Sequence, residues 1–105
     1  MNKTVIRYLP LFLEDLLEAT SYIRDTLQNE KAAYDLADDV ENAILNRSKN
    51  PTAFEKYESL KKREYPYYRI YVKNYTIFYV VIPDEPQVME VRRLLYNKRN
   101  VRKLI

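Results

Sequence analysis

At 105 residues the chain has room for one domain and a single core without covalent staples. It has no cysteine and no histidine, which excludes disulfides, thiolate metal sites, imidazole catalysis and the commonest zinc ligand together. Net charge is +3, yet residues 11–50 hold nine acids against four bases and residues 56–105 hold twelve bases against five acids. That asymmetry fits either a polyanionic partner for the second half or two solvated faces of opposite sign. No apolar run approaches the roughly 20 residues of a membrane span, and the N-terminus lacks a signal-peptide core, so a cytoplasmic location is expected. Glycine is absent, so a position with positive φ has to use another residue; Asn74 is the expected one.

In chain order, Lys3 to Leu9 reads as a short strand, expected at a sheet edge. Pro10 suits the first turn of a helix, where a missing N–H costs nothing. That helix is expected over Leu11–Gln28, with Leu13, Leu16, Leu17, Thr20, Ile23 and Leu27 as its apolar stripe. Glu14, Asp15 and Glu18 lie at the end favoured by the dipole. A second helix follows Asn29-Glu30 and runs to about Ser48, burying Ala33, Leu36, Ala37, Val40, Ala43 and Ile44. Asn50-Pro51 stops it. Residues 51–64 form a connector that turns basic at Lys61, Lys62 and Arg63, either a positively charged loop beside the sheet or a solvated linker.

The remainder alternates like a three-stranded meander: Tyr67–Val72, a break at Lys73-Asn74, Tyr75–Ile82, a turn at residues 83–86, and Val88–Tyr96. Strand, helix, helix and three strands make an α+β domain over residues 1–105, an α-helical hairpin packed on one face of a small antiparallel sheet. The other face is expected to stay open. On Tyr67–Val72, the residues Tyr67, Arg69 and Tyr71 share that face, whereas Tyr68, Ile70 and Val72 meet the helices. Arg92 and Arg93 fall on opposite faces. The tail VRKLI reads as a flexible end or a short helix over the sheet edge.

These segments carry a resemblance. LPLFLEDLLEATSYIRD with its Asp15-Leu16 and Tyr22-Ile23 pairs, NEKAAYDLADDVENAI, the Asn50-Pro51 stop, YYRIYVKNYTIFYVV and YNKRNV together resemble the RelE/ParE superfamily. Its members are the toxins of bacterial type II toxin–antitoxin modules, and the similarity spans essentially the whole chain. The resemblance implies a growth inhibitor silenced by a cognate antitoxin. It also implies one of two targets: mRNA in the ribosomal A site, which one branch cleaves, or DNA gyrase, which another inhibits. No cofactor and no metal are expected.

Cleaving RNA through its 2′-OH requires a proton acceptor, cations on the pentacovalent phosphate and an acid for the leaving oxygen. By resemblance, Arg69 matches a basic strand position of the ribonuclease branch and Arg99 a phosphate-binding arginine. Tyr96 is the nearest candidate for a C-terminal acid or base. Lys61, Lys62, Arg63, Tyr67, Tyr71, Lys73, Arg92 and Lys98 complete the candidate RNA surface, tyrosines stacking on bases and cations meeting phosphates. Two positions depart from that branch: Thr76 stands where it often has arginine, and Tyr71 replaces a second strand base. The expected function is therefore ribosome-dependent mRNA cleavage. The alternatives are gyrase inhibition without catalysis and nucleic-acid binding without chemistry.

Overall fold

The computed structural model describes residues 3–61 and 63–105. The elements are β1 (Val5–Tyr8), α1 (Pro10–Ser21) continued by a π-helical turn (Tyr22–Thr26), α2 (Glu30–Arg47), β2 (Lys56–Tyr57), β3 (Tyr67–Val72), β4 (Tyr75–Ile82), β5 (Val88–Tyr96) and α3 (Val101–Leu104). Pro10 occupies the start of α1. Asn29 caps α2, its Oδ1 accepting the Ala32 N–H at 3.0 Å. The α+β architecture is as expected, a helix pair on a five-stranded sheet of order β1-β5-β4-β3-β2. The sheet is mixed and not wholly antiparallel, because the edge strand β1 runs parallel to β5. β2, only two residues long, adds an edge that alternation could not reveal.

The apolar stripe of α1 is shifted from the expected one. Phe12 and Ala19 are buried, and Leu16 and Ile23 pack against them, whereas Leu13, Leu17 and Leu27 are exposed. The chain then leaves α1 through the wider π turn, which carries the exposed Tyr22. α2 behaves as expected, burying Ala33, Leu36, Val40 and Ile44. In the β3–β4 hairpin the positive φ falls on Lys73 (54°), not on Asn74. A two-residue loop places positive φ at its first residue in both favoured turn types, so position overrides residue preference.

The open face is the main correction. One core lies between the helices and Tyr68, Ile70, Val72, Ile77, Tyr79, Met89, Val91 and Leu94. A second core on the opposite face joins Tyr67, Phe78, Val80 and Leu95 to Ile105, with Tyr57, Tyr65, Val101 and Leu104 packed around it. The tail is thus a cover, drawn down because that face is itself apolar. Ser59 Oγ and Arg63 Nη2 hold it by donating to the Ile105 main-chain oxygen at 2.6 and 2.7 Å. None of the helices among the described residues is long and apolar enough to cross a membrane.

Candidate functional site

The expected site residues fall on two faces of the sheet. β3 carries Tyr67, Arg69 and Tyr71 on the tail-covered face, in the alternation read from the sequence. Tyr67 is only 4% exposed, under the tail and beside the Arg63 guanidinium at 5.4 Å, so its ring is closed to a stacking base. Arg69, half-buried, lies over the rings of Tyr57 (5.0 Å) and Tyr71 (5.5 Å), and Tyr71 is open to solvent. This guanidinium between two tyrosines is the part of the expected RNA surface that remains assembled. Lys61 and Lys98 are exposed, and Lys73 pairs with Asp39 of α2 at 3.3 Å. Lys62 lies outside the described residues.

Tyr96 and Arg99 are elsewhere. A β-bulge in β5 sets Phe78 opposite Arg93 but Tyr79 opposite Val91, leaving Arg92 as the extra residue. The strand's facing slips by one position there, so Leu94 joins the helix-side core. Tyr96 follows onto that side, its ring 5.4 Å from Tyr75. The turn after β5 returns Arg99 N–H to the Tyr96 carbonyl at 3.0 Å. Tyr96 and Arg99 then line a cleft of about 580 Å³ whose walls are Asp15, Glu18, Ala19, Tyr22, Ile23, Leu27, Asn74, Tyr75 and Leu94. Arg69 is therefore brought together with neither of them.

The bulge also settles the two neighbouring arginines. Arg93 lies opposite Phe78 of the second core, and its Nε and Nη2 reach α1, donating to the Asp15 carboxylate at 2.8 and 3.0 Å. The same carboxylate accepts the Leu94 N–H at 3.0 Å, so Asp15 ties α1 to the bulge by three bonds. Asp15 holds the Arg93 guanidinium above its usual range. Arg92 lies over the Tyr67 ring at 5.8 Å and donates to Glu90 at 2.9 Å, so the bulge brings both arginines beside the second core and not onto the opposite faces that strict alternation sets. Glu90 is buried and is held from β1 by Arg7 as well, at 3.0 Å. Burial works to lower the Arg92 pKa, but Tyr67 and Glu90 outweigh it and leave it raised. Thr76, where the ribonuclease branch often has arginine, is buried and donates its hydroxyl to Asn97 Oδ1 at 2.6 Å.

Sequence reasoning missed Arg47 altogether. At the end of α2 it lies 3.5 Å from the centre of the Phe54 ring and donates to the Arg69 carbonyl (3.1 Å) and Tyr79 Oη (3.0 Å). Its only sequence signal is a cation in the last turn of a helix, which marks many solvated residues.

Residues 6–101 match the family described as ParE toxin of type II toxin-antitoxin system, parDE. The chain belongs to this family. No curated protein matches the chain. The fold, a helix pair on a small sheet, is consistent with that membership, and so is the order of segments that carried the resemblance. The chain is thus the toxin of a type II toxin–antitoxin system, and a cognate antitoxin is its partner. Within the toxin, the arginines of the last strand act on Asp15 and Glu90, and the assembled tyrosine–arginine groups lie on opposite faces.

Proposed function

We propose that the toxin inhibits growth by binding a protein target, in the manner of gyrase-inhibiting members, and not by cutting RNA. The observation that carries this reading is the separation of Arg69 from Tyr96 and Arg99 by the thickness of the sheet. A proton acceptor, a phosphate-binding cation and an acid must all come within hydrogen-bond reach of one scissile phosphate. Four cations that could compensate are engaged internally, Arg63 with the Ile105 main chain, Arg92 with Glu90, Arg93 with Asp15 and Lys73 with Asp39, whereas Lys61 and Lys98 are exposed. Thr76 supplies no charge, and its hydroxyl is taken by Asn97. Binding a protein needs no such convergence, only a surface of fitting shape and chemistry.

A second reading rests on Arg69 itself. A guanidinium over two tyrosine rings, one of them open, suits a stacked base and its phosphate, and it favours cleavage of ribosome-bound mRNA. One experiment separates the two. Purified toxin is added to DNA gyrase with relaxed plasmid and ATP, and in parallel to ribosomes programmed with mRNA. Loss of supercoiling, intact transcripts and an unchanged result for Arg69→Ala are expected. Ribosome-dependent cuts that disappear in Arg69→Ala and Arg99→Ala would overturn the protein-binding reading.

A further inference from the structure

The helix-side cleft has a chemistry that neither RNA cleavage nor the fold accounts for. Tyr75 and Tyr96 form one wall with their rings tilted by 54°, and Tyr22, half-exposed on the π turn, contributes a third ring. Glu18 is exposed and takes part in none of the ion pairs among the described residues. Asp15, by contrast, is neutralised from behind by Arg93. Tyr22, Tyr75, Tyr96 and Glu18 all line this one cleft, and burial, then Tyr96, Tyr22 and Glu18, raise the Tyr75 hydroxyl pKa.

We propose that this cleft receives an arginine side chain of a partner polypeptide. A planar guanidinium stacks on tyrosine faces, whose quadrupole is negative, while its fork donates to a carboxylate. Glu18 is the carboxylate so placed, and the tyrosine hydroxyls offer further acceptors. At about 580 Å³ the cleft takes such a side chain together with its flanking backbone. A phosphate would meet one cation, Arg99, against the carboxylate of Glu18, which no ion pair among the described residues neutralises. Arg99 therefore weakens the site by like-charge repulsion, the opposite of a phosphate-binding role. This inference concerns the cleft alone and holds for any target of the toxin.

The test titrates N-acetyl-arginine methylamide into the full chain and follows tyrosine ring resonances by NMR. The neutral isostere N-acetyl-citrulline methylamide and adenosine monophosphate are titrated alongside. Arginine is expected to bind with an affinity on the order of millimolar, shifting Tyr22, Tyr75 and Tyr96, and citrulline more weakly. Glu18→Gln and Tyr22→Leu should each weaken it about threefold, whereas Arg99→Gln should strengthen it about twofold. All three residues are exposed, so the variants retain the fold, which the dispersion of the spectrum verifies. Equal binding of citrulline would reduce the cleft to an apolar hollow and overturn the proposal. So would preferential binding of the nucleotide with loss in Arg99→Gln, and so would the absence of any shift.

Discussion

Tyr79 shows how much one side chain in this sheet can join. Its ring is fully buried and stacks on Tyr68 at 5.3 Å, and its hydroxyl donates to the Pro51 carbonyl at 2.7 Å while accepting from Arg47. The helix end, the connector and the fourth strand meet at that oxygen, and Arg47 extends the link to the Arg69 carbonyl of the third. Removing the hydroxyl in Tyr79→Phe leaves a carbonyl without its donor and should cost about 1–2 kcal/mol at neutral pH, read from urea denaturation. Burial raises the phenol pKa above its ordinary 10.0, with Arg47 pulling it back part of the way. The folded state therefore holds the proton more tightly than the unfolded chain. Stability from this group is complete below about pH 10 and is lost as pH rises through the folded value. The Phe variant should accordingly lose less stability than the parent between pH 9 and pH 11; a parallel decline in both would rule out this linkage.

At the scale of the element, α1 decides which surface the toxin offers. Its leucines at 13, 16 and 17 satisfy two helical registers, one through Leu13, Leu17 and Thr20, the other through Phe12, Leu16, Ala19 and Ile23. The second is the buried one, because it places the Phe12 ring in the core, stacked on Tyr8 at 5.7 Å, and lets small Ala19 approach the sheet. Phe12→Ala should then cost about 3–5 kcal/mol by thermal or urea denaturation, and Leu17→Ala, 64% exposed, no more than about 0.5. Equal losses would return the helix to the other register. Helix α2 has no such degeneracy: acids at positions 35, 38, 39 and 41 leave one apolar stripe, and it was legible. The strands were legible as well, since alternation fixes which residues share a face. The bulge at Arg92 was not, because a single extra residue leaves no mark on composition and is set by the partner strand.

For the molecule as a whole, the second core is the consequential feature. Ile105 is 1% exposed, and with Val101 and Leu104 it closes the face that carries Tyr67, Phe78 and Leu95. Ile105→Ala should lower stability by about 2 kcal/mol and speed hydrogen exchange in β3 and β4. An unchanged melting temperature would mean that the tail contributes no cover. Local sequence carried the order of the elements, the α+β class, the face-sharing of Tyr67, Arg69 and Tyr71, and the ordered segments by which the family is identified. Those properties follow from local periodicity and steric preference, which neighbouring residues carry within themselves. Packing of the whole fold set the rest: the tail covers the second face, Arg69 is parted from Tyr96 and Arg99, and Glu18 and three tyrosines line one cleft. Each of these depends on residues far apart in the chain, and on which of two apolar surfaces gains more by being buried. Alternation records that a strand has two faces, but the free energy of covering them is a property of the assembled sheet.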